Sequence, residues 1–305
     1  MNKVDFIMTF TVKNANCNGD PLAENRPRVD SNGLGEISDV CLKRKIRNRL
    51  QDNGKAIFVQ SKERTDDGCT SLQKRYEEYF NKIIKTNKEN KELKIFDEDE
   101  KIEKRSDISD KKLEEMFVEK WLDVRAFGQV ITYDNRSIGI RGPISIGIAK
   151  SLDPITIESM QITKSINGME QTNPNDKAPD TVGMKHFVEF GTYMVQGAVN
   201  AYFAEKTGFN DNEKDLEEFK KALKTIFVND ASSARPDGSM EVKEIFWFEH
   251  SCKVGNVSSA KIKSLIKWDK EKEYHCYEDY KIRIDAEKLE EYKKQGLELT
   301  IMQGL

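Results

Sequence analysis

Residues 16–50, NCNGDPLAENRPRVDSNGLGEISDVCLKRKIRNRL, decide how the rest of the chain is read. Two unlike halves meet in this stretch. From Asn16 to Glu36 it is dense in Asn, Gly, Asp and Pro, so it is neither helix nor strand interior. From Ser38 onward it has the start of a helix: a hydroxyl N-cap residue, then Leu42, Ile46 and Leu50 at i, i+4 and i+8 as an apolar seam. The other helix positions carry Lys43, Arg44, Lys45, Arg47 and Arg49, with no acid between Val40 and Leu50. Asp52-Asn-Gly54 ends the helix. In front of the loop, Val4 to Val12 (VDFIMTFTV) is rich in β-branched and aromatic residues and reads as a buried first strand. The unit is therefore strand, long glycine-bearing loop, basic helix. It suits a phosphate backbone laid across loop and helix; the competing reading is an ordinary loop and a solvated helix face.

The chain has 305 residues, room for one large domain or two ordinary ones. With 34% charged and 37% hydrophobic residues it belongs to the polar globular class. No apolar run approaches the ~20 residues of a membrane span, and Asp5 within the first apolar run argues against a signal peptide. Cys17, Cys41, Cys69, Cys252 and Cys276 are scattered and odd in number, which favours reduced thiols in a cytoplasm. The net charge of −3 and a pI near 5.9 are not those of a free-standing nucleic-acid binder. Binding to nucleic acid would have to be local, or shared among several copies along one strand.

Further along, Leu72, Tyr76, Tyr79, Phe80, Ile83 and Ile84 space as an amphipathic helix, and Leu113, Met116, Phe117 and Trp121 as another. Between them, Lys85 to Asp110 is mostly charge and reads as an exposed excursion. Asp123 to Gly128 and Ile140 to Ile148 read as extended segments, with Gly142-Pro143 at a strand start or edge. Ile155 and Ile157, then Met160 and Ile162, alternate with polar residues ahead of a tip rich in Asn, Pro, Asp and Gly. This predicts a long projecting hairpin over 153–185. His186 to Tyr202 reads as a central strand and Leu216, Phe219, Leu223, Ile226 and Phe227 as a second core helix. Ile245 to Phe248 is a strong strand, with a short helix around Ser258 to Lys267 and a weak last strand at Lys281 to Asp285. Strand, helix, two extended segments, helix, strand is the order of a ferredoxin-like or RRM-like α+β sheet. No RNP1 pattern accompanies it, since Lys185 to Phe190 is only a loose echo, so base stacking on the sheet is not expected.

Six runs carry a resemblance: Asn18-Gly-Asp-Pro21, Asn25-Arg-Pro-Arg28, Asp39 to Asn48, Asp123 to Gly128, Arg141-Gly-Pro143 and Lys150-Ser-Leu-Asp-Pro154. In this order and spacing the chain resembles the backbone subunits of type I CRISPR effector complexes (Cascade), in the Cas-seven superfamily. The runs from Asp39 to Lys45 and from Ser151 to Pro154 are most similar to the I-C (Csd) subtype, with I-B next. The resemblance implies a hand-like fold. Residues 1–54, 123–152 and 186–305 would form an RRM-like palm, 55–122 a helical insertion as fingers, and 153–185 a hairpin thumb.

It also implies a crRNA guide along which copies of the chain polymerise, each thumb turning a base out of its neighbour's stretch of guide. Target DNA then pairs with the guide, and the small, large and repeat-processing subunits complete the complex. Candidate RNA-binding residues are Asn16, Asn18, Gly19, Arg26, Arg28, Lys43, Arg44, Lys45, Arg47 and Arg49. Arg125 and Arg141 either join them or neutralise acids within the palm. Candidate thumb or wedge residues are Met160, Gln161, Ile162, Lys164, Ile166 and Met184, with His186 at the hairpin's foot.

The rival reading is enzymatic. Backbone subunits of type III complexes cut target RNA with a metal and a first-loop aspartate, and Asp20, Asp30 and Asp39 lie in the matching region. Turn and cap roles account for all three as well, and that reading is preferred here: no catalytic residue, metal or cofactor is expected. His250-x-Cys252 and His275-Cys276 match no common zinc spacing, and His250 follows a strand that it can cap. Phe127, Phe246 and Trp247 are expected in the core.

Overall fold

The computed structural model of the chain describes residues 1–89, 96, 102–163, 182–211, 214–269 and 274–305. It opens on β1 (Val4–Ala15), buried over its first nine residues. Such a strand has a layer on each side: Phe6, Met8, Phe10 and Val12 face one way, Asp5, Ile7, Thr9 and Thr11 the other, and all are buried. The first loop contains β2 (Gly19–Asp20) and β3 (Arg26–Pro27), and β4 (Leu34–Ile37) leads into α1 (Asp39–Asp52). Ser38 Oγ caps α1 by accepting from the Cys41 N–H at 3.2 Å, and Gly54, at φ 77°, follows its C-terminus. Leu42, Ile46 and Leu50 are buried in the main core, as their spacing predicts.

Next come α2 (Leu72–Glu89), α3 (Asp110–Lys120), α4 (Leu122–Phe127) and the hairpin β5 (Gln129–Ile131) and β6 (Ile138–Ile140). Strands β7 (Ile144–Ile146), β8 (Ala149–Pro154), β9 (Ile157–Thr163) and β10 (Val182–Val199) precede α5 (Ala201–Thr207), α6 (Asp215–Lys224) and β11 (Met240–His250). The last part holds α7 (Ser259–Lys263), β12 (Ile266–Lys267), β13 (Arg283–Ile284), α8 (Ala286–Lys294) and β14 (Leu297–Gln303). The chain is a mixed α/β structure built on one large antiparallel sheet, in the order β14-β11-β1-β10-β8-β4, with β7 and β9 also paired to β10. On one face, α1 and α6 cover β1: Phe219 of α6 meets Phe6 edge-on at 5.6 Å. The other face is covered from the C-terminal part, where Val257, Ile262, Leu265, Ile266 and Tyr292 pack on Ile7, Phe246 and Phe248.

Three expectations are corrected. Residues 122–127 are helical rather than extended. Their apolar residues fall at every second position because the helix is wedged between two cores: Leu122 and Ala126 enter the main one, Val124 a second. The weak last strand at 281–285 is only β13, paired with β12. The large sheet instead ends on β14, which pairs with β11 and whose Leu297, Leu299, Ile301 alternation follows a charged helix. The charged excursion is anchored, since Phe96, Ile102 and Ile108 are buried in the second core; residues 90–95 and 97–101 lie outside the described residues. That core includes Phe58, Tyr76, Phe80, Leu113, Phe117 and Trp121, and extends to Ile131, Ile138 and Ile140, past the boundary at 122 suggested by sequence.

Candidate nucleic-acid interface

The positive charge of α1 is largely spent inside the fold. Arg47 Nε donates to Asp123 Oδ2 at 3.0 Å, and Asp123, with no exposed surface, also accepts the Phe58 and Val59 N–H groups at 2.7 and 3.1 Å. Arg44 Nη1 donates to the Val59 carbonyl at 2.6 Å, and burial, with Arg47 nearby, lowers its pKa. Lys45 is buried and ion-paired with Asp230. Arg49 Nε donates to Thr225 Oγ1 at 2.8 Å and lies 3.6 Å from Asp52. Lys43 pairs with Asp39 at 3.1 Å and stays partly exposed. The open cationic face expected for Arg44, Lys45, Arg47 and Arg49 is thus a set of fasteners joining α1 to the insertion and to residues 225–235. Four of the five cations reach partners outside the helix, at Val59, Asp230, Asp123 and Thr225, while Lys43 pairs within it. Arg125 is likewise internal: it forks onto Asp215 at 2.7 and 2.9 Å and donates to the Val118 carbonyl. Arg141 is exposed, with its guanidinium 4.3 Å from the centre of the Phe203 ring.

The first loop is brought against two other segments at the end of β1. Asn16 donates its N–H to Ala234 O at 2.8 Å and its Nδ2 to Asn25 O at 2.5 Å, while its buried Oδ1 has no partner. Asn18 Oδ1 accepts the Ser38 N–H at 2.9 Å, tying the loop to the N-cap of α1. Gly19 sits where a Cβ would come within 2.9 Å of Asn25 O, so the β2–β3 turn closes only without a side chain there. Arg26, exposed on β3, donates from Nη2 to Ser159 Oγ at 3.3 Å, and Ser159 Oγ lies 2.8 Å from His186 Nδ1. His186 is buried and its Nε2 has no partner. Arg28 pairs with Asp20 at 3.5 Å.

The β9–β10 hairpin leaves the sheet here. The partnership of β1 with β10 ends at Ala15 and Val188, while β9 pairs with β10 from Val188 out to Val182. Residues opposite one another share a face. Met160 therefore stands beside Lys185, with Ile162 on the same side; Met184 and Gln161 face the other way, together with Ser159 and His186. Met160, Ile162 and Met184 are about half exposed. Lys164 and Ile166 lie outside the described residues.

The three aspartates have local partners. Asp20 Oδ1 accepts the Leu22 N–H at 3.1 Å. Asp30 accepts the Asn32 and Leu34 N–H groups and pairs with Lys150 at 2.8 Å, which holds its carboxyl below the usual range. Asp39 lies in the first turn of α1 beside Lys43. Among the described residues no three His, Cys, Asp or Glu side chains gather as a metal set. His250 has both ring nitrogens engaged: Nε2 with Asp5 at 2.9 Å, Nδ1 accepting the Asn256 N–H at 2.9 Å. Phe246 and Trp247 are buried. The sheet face away from α1 is covered at β1 and β11, with Tyr277 Oη between Thr9 Oγ1 at 2.9 Å and Glu244 Oε2 at 2.7 Å. No helix among the described residues is long and apolar enough to cross a membrane.

The sequence reading missed the turn at 229–239, which supplies Ala234 to the loop and Asp230 to α1. One signal was available: Lys45 falls between Leu42 and Ile46 on the apolar seam, and a lysine there needs an acid.

A family model described as CRISPR-associated protein Cas7 matches residues 2–285. A curated protein of that description from Haloferax volcanii is 25% identical over 234 residues, covering 71% of this chain and 62% of the relative. The chain thus spans less than two thirds of that relative's length. Two solved chains are also similar. One, from a CRISPR RNA-guided surveillance complex, pre-nicking, has a TM-score of 0.47 at 16% identity, covering 81% of this chain and 76% of that one. Another, from a CRISPR RNA-guided surveillance complex, gives 0.43 at 13% identity, covering 96% and 82%.

Proposed function

From the premise that the chain belongs to the Cas7 family of CRISPR-associated proteins, we propose that it is a non-catalytic, crRNA-binding backbone subunit of a type I interference complex. The motif runs at Asp39–Lys45 and Ser151–Pro154 favour the I-C subtype. Copies polymerise along the guide in the cytoplasm, present it to target DNA, and assemble with the small, large and repeat-processing subunits. The palm is RRM-like, a reading supported by β1 lying between β10 and β11 with β7 and β8 beyond β10.

The observation that carries the reading is the meeting of the first loop, the foot of the β9–β10 arm and the 229–239 turn. Exposed Arg26 and partly exposed Arg28 supply charge there. Such contacts hold a backbone and leave the reading of sequence to base pairing. The arm's exposed apolar side chains suit a wedge, because unstacking a base costs about a few kcal/mol that packing must return. Each copy needs few phosphates, since linked copies bind by avidity, and an acidic chain is then no obstacle.

Chemical footprinting of the guide in the assembled complex tests this. Bases should be hyper-reactive at a regular interval, and Met160→Ser with Ile162→Ser should abolish that pattern while RNA is still retained. A guide with uniform reactivity in the parent complex would refute the wedge. In a separate assay, complementary RNA incubated with the complex and Mg²⁺ is expected to stay intact. Specific cuts lost in Asp20→Ala or Asp30→Ala would establish the endonuclease reading instead.

A further inference from the structure

The turn at 229–239 is built to present a guanidinium. Asp230 takes two cations, the buried Lys45 Nζ from α1 and Arg235 Nε at 3.0 Å. Ser232 and Arg235 each donate an N–H to the other's carbonyl, at 2.8 and 3.1 Å, which closes a tight turn with Ser233 and Ala234 at its tip. Ser232 and Ser233 are exposed. The turn is pinned twice more, by the Asn16 N–H to Ala234 O and the Lys13 N–H to Ser239 O, both at 2.8 Å.

Arg235 is held only through Nε; its two terminal nitrogens have no partner among the described residues, and its side chain is 27% exposed. Arg28, from the first loop, lies with Nη2 3.5 Å from Asp20, its buried Nε without a hydrogen-bond partner and its side chain 37% exposed. Both guanidinium groups lie near the Cys41 thiol in the first turn of α1: burial raises that thiol's pKa, while Lys45, Arg235 and Arg28 act against the rise. Two cations for one carboxylate leave positive charge in surplus, and the fork that carries it is immobilised.

We propose that Arg235, with the Ser232 and Ser233 hydroxyls and with Arg28 of the first loop, clamps a phosphodiester of the bound nucleic acid, and that Lys45 and Asp230 are positioning residues for the clamp. The inference rests on the backbone-subunit reading and adds a second lip to the groove, contributed by the far half of the chain. A guanidinium fixed at Nε offers both terminal nitrogens to two phosphate oxygens, and hydroxyl donors complete the shell. No base edge is read, so the contribution is independent of sequence.

The test uses the full chain and labelled single-stranded RNA of guide length, with anisotropy measured over a range of salt. The same RNA paired to complementary DNA forms a second arm. Arg235→Gln should weaken binding roughly tenfold and reduce the salt slope by about 0.7, the share of one phosphate on a single strand. Ser232→Ala with Ser233→Ala should weaken binding with little change in slope. Lys45→Met, where melting shows it folded, should copy the Arg235→Gln slope although its own charge is buried. If it does not fold, the turn variants still decide.

Loss with RNA alone assigns the phosphate to the guide, and loss only with the hybrid assigns it to the DNA strand; either outcome supports the clamp. A parent that binds RNA and an Arg235→Gln variant with unchanged affinity and slope would overturn it and leave the backbone reading standing. A parent that binds no RNA overturns that reading itself.

Discussion

Asp123→Ala is expected to lower the stability of the folded chain by roughly 3–5 kcal/mol, the cost of removing one partner from a buried ion pair. Asp123 has no exposed surface, and its carboxylate receives Arg47 Nε together with the Phe58 and Val59 N–H groups. The alanine variant strands a mostly buried guanidinium and two backbone donors at once. Asp123 sits on α4, between the two cores, so the loss falls on the joint between insertion and sheet. Denaturant unfolding should show the midpoint falling with the slope retained, or the transition dividing as the insertion melts first. Arg47→Glu should be as damaging, because it sets a second carboxylate against Asp123. A loss below about 1 kcal/mol in both variants, the worth of an exposed pair, would mean that the joint is open to solvent.

The largest effect on binding is expected from Arg26→Glu with Arg28→Glu. Both side chains lie on the first loop, Arg26 exposed and Arg28 partly so, and their protein partners are a long hydrogen bond to Ser159 and a long ion pair with Asp20. Reversing them should leave the melting temperature close to the parent's. Affinity for single-stranded RNA should fall on the order of a hundredfold or more, at one to two charge-assisted contacts each. The salt slope should fall by about 1.4 for two phosphates. The contrast with Arg47 is informative: the loop reversals should remove RNA from a folded protein, whereas Arg47→Glu should unfold it. RNA retention unchanged by the loop reversals would move the groove away from residues 16–36.

Much of this architecture was legible in the chain. The apolar run at Val4–Val12, the Ser38 cap, the seam at Leu42, Ile46 and Leu50 and the alternation at Met160 and Ile162 are local signals, set by backbone periodicity and by which side chains water rejects. They predict β1, α1 and the projecting arm wherever the rest of the chain goes. The Leu122–Phe127 helix escaped because one helix between two cores has apolar residues on opposite sides, which imitates a strand.

What the sequence determined by itself was β1, α1, the family resemblance and the place of the loop beside β1. What only the tertiary structure decided was the state of each charge. Lys43, Arg44, Lys45, Arg47 and Arg49 look alike as letters, yet their partners Asp39, Val59, Asp230, Asp123 and Thr225 come from both near and far along the chain. A cation's availability depends on the distance to its counter-charge and on the water it has lost, and neither quantity exists until remote segments are packed together. The same packing left Arg26, Arg28 and Arg235 with hydrogen-bonding capacity in reserve, and the proposed groove is drawn along them for that reason.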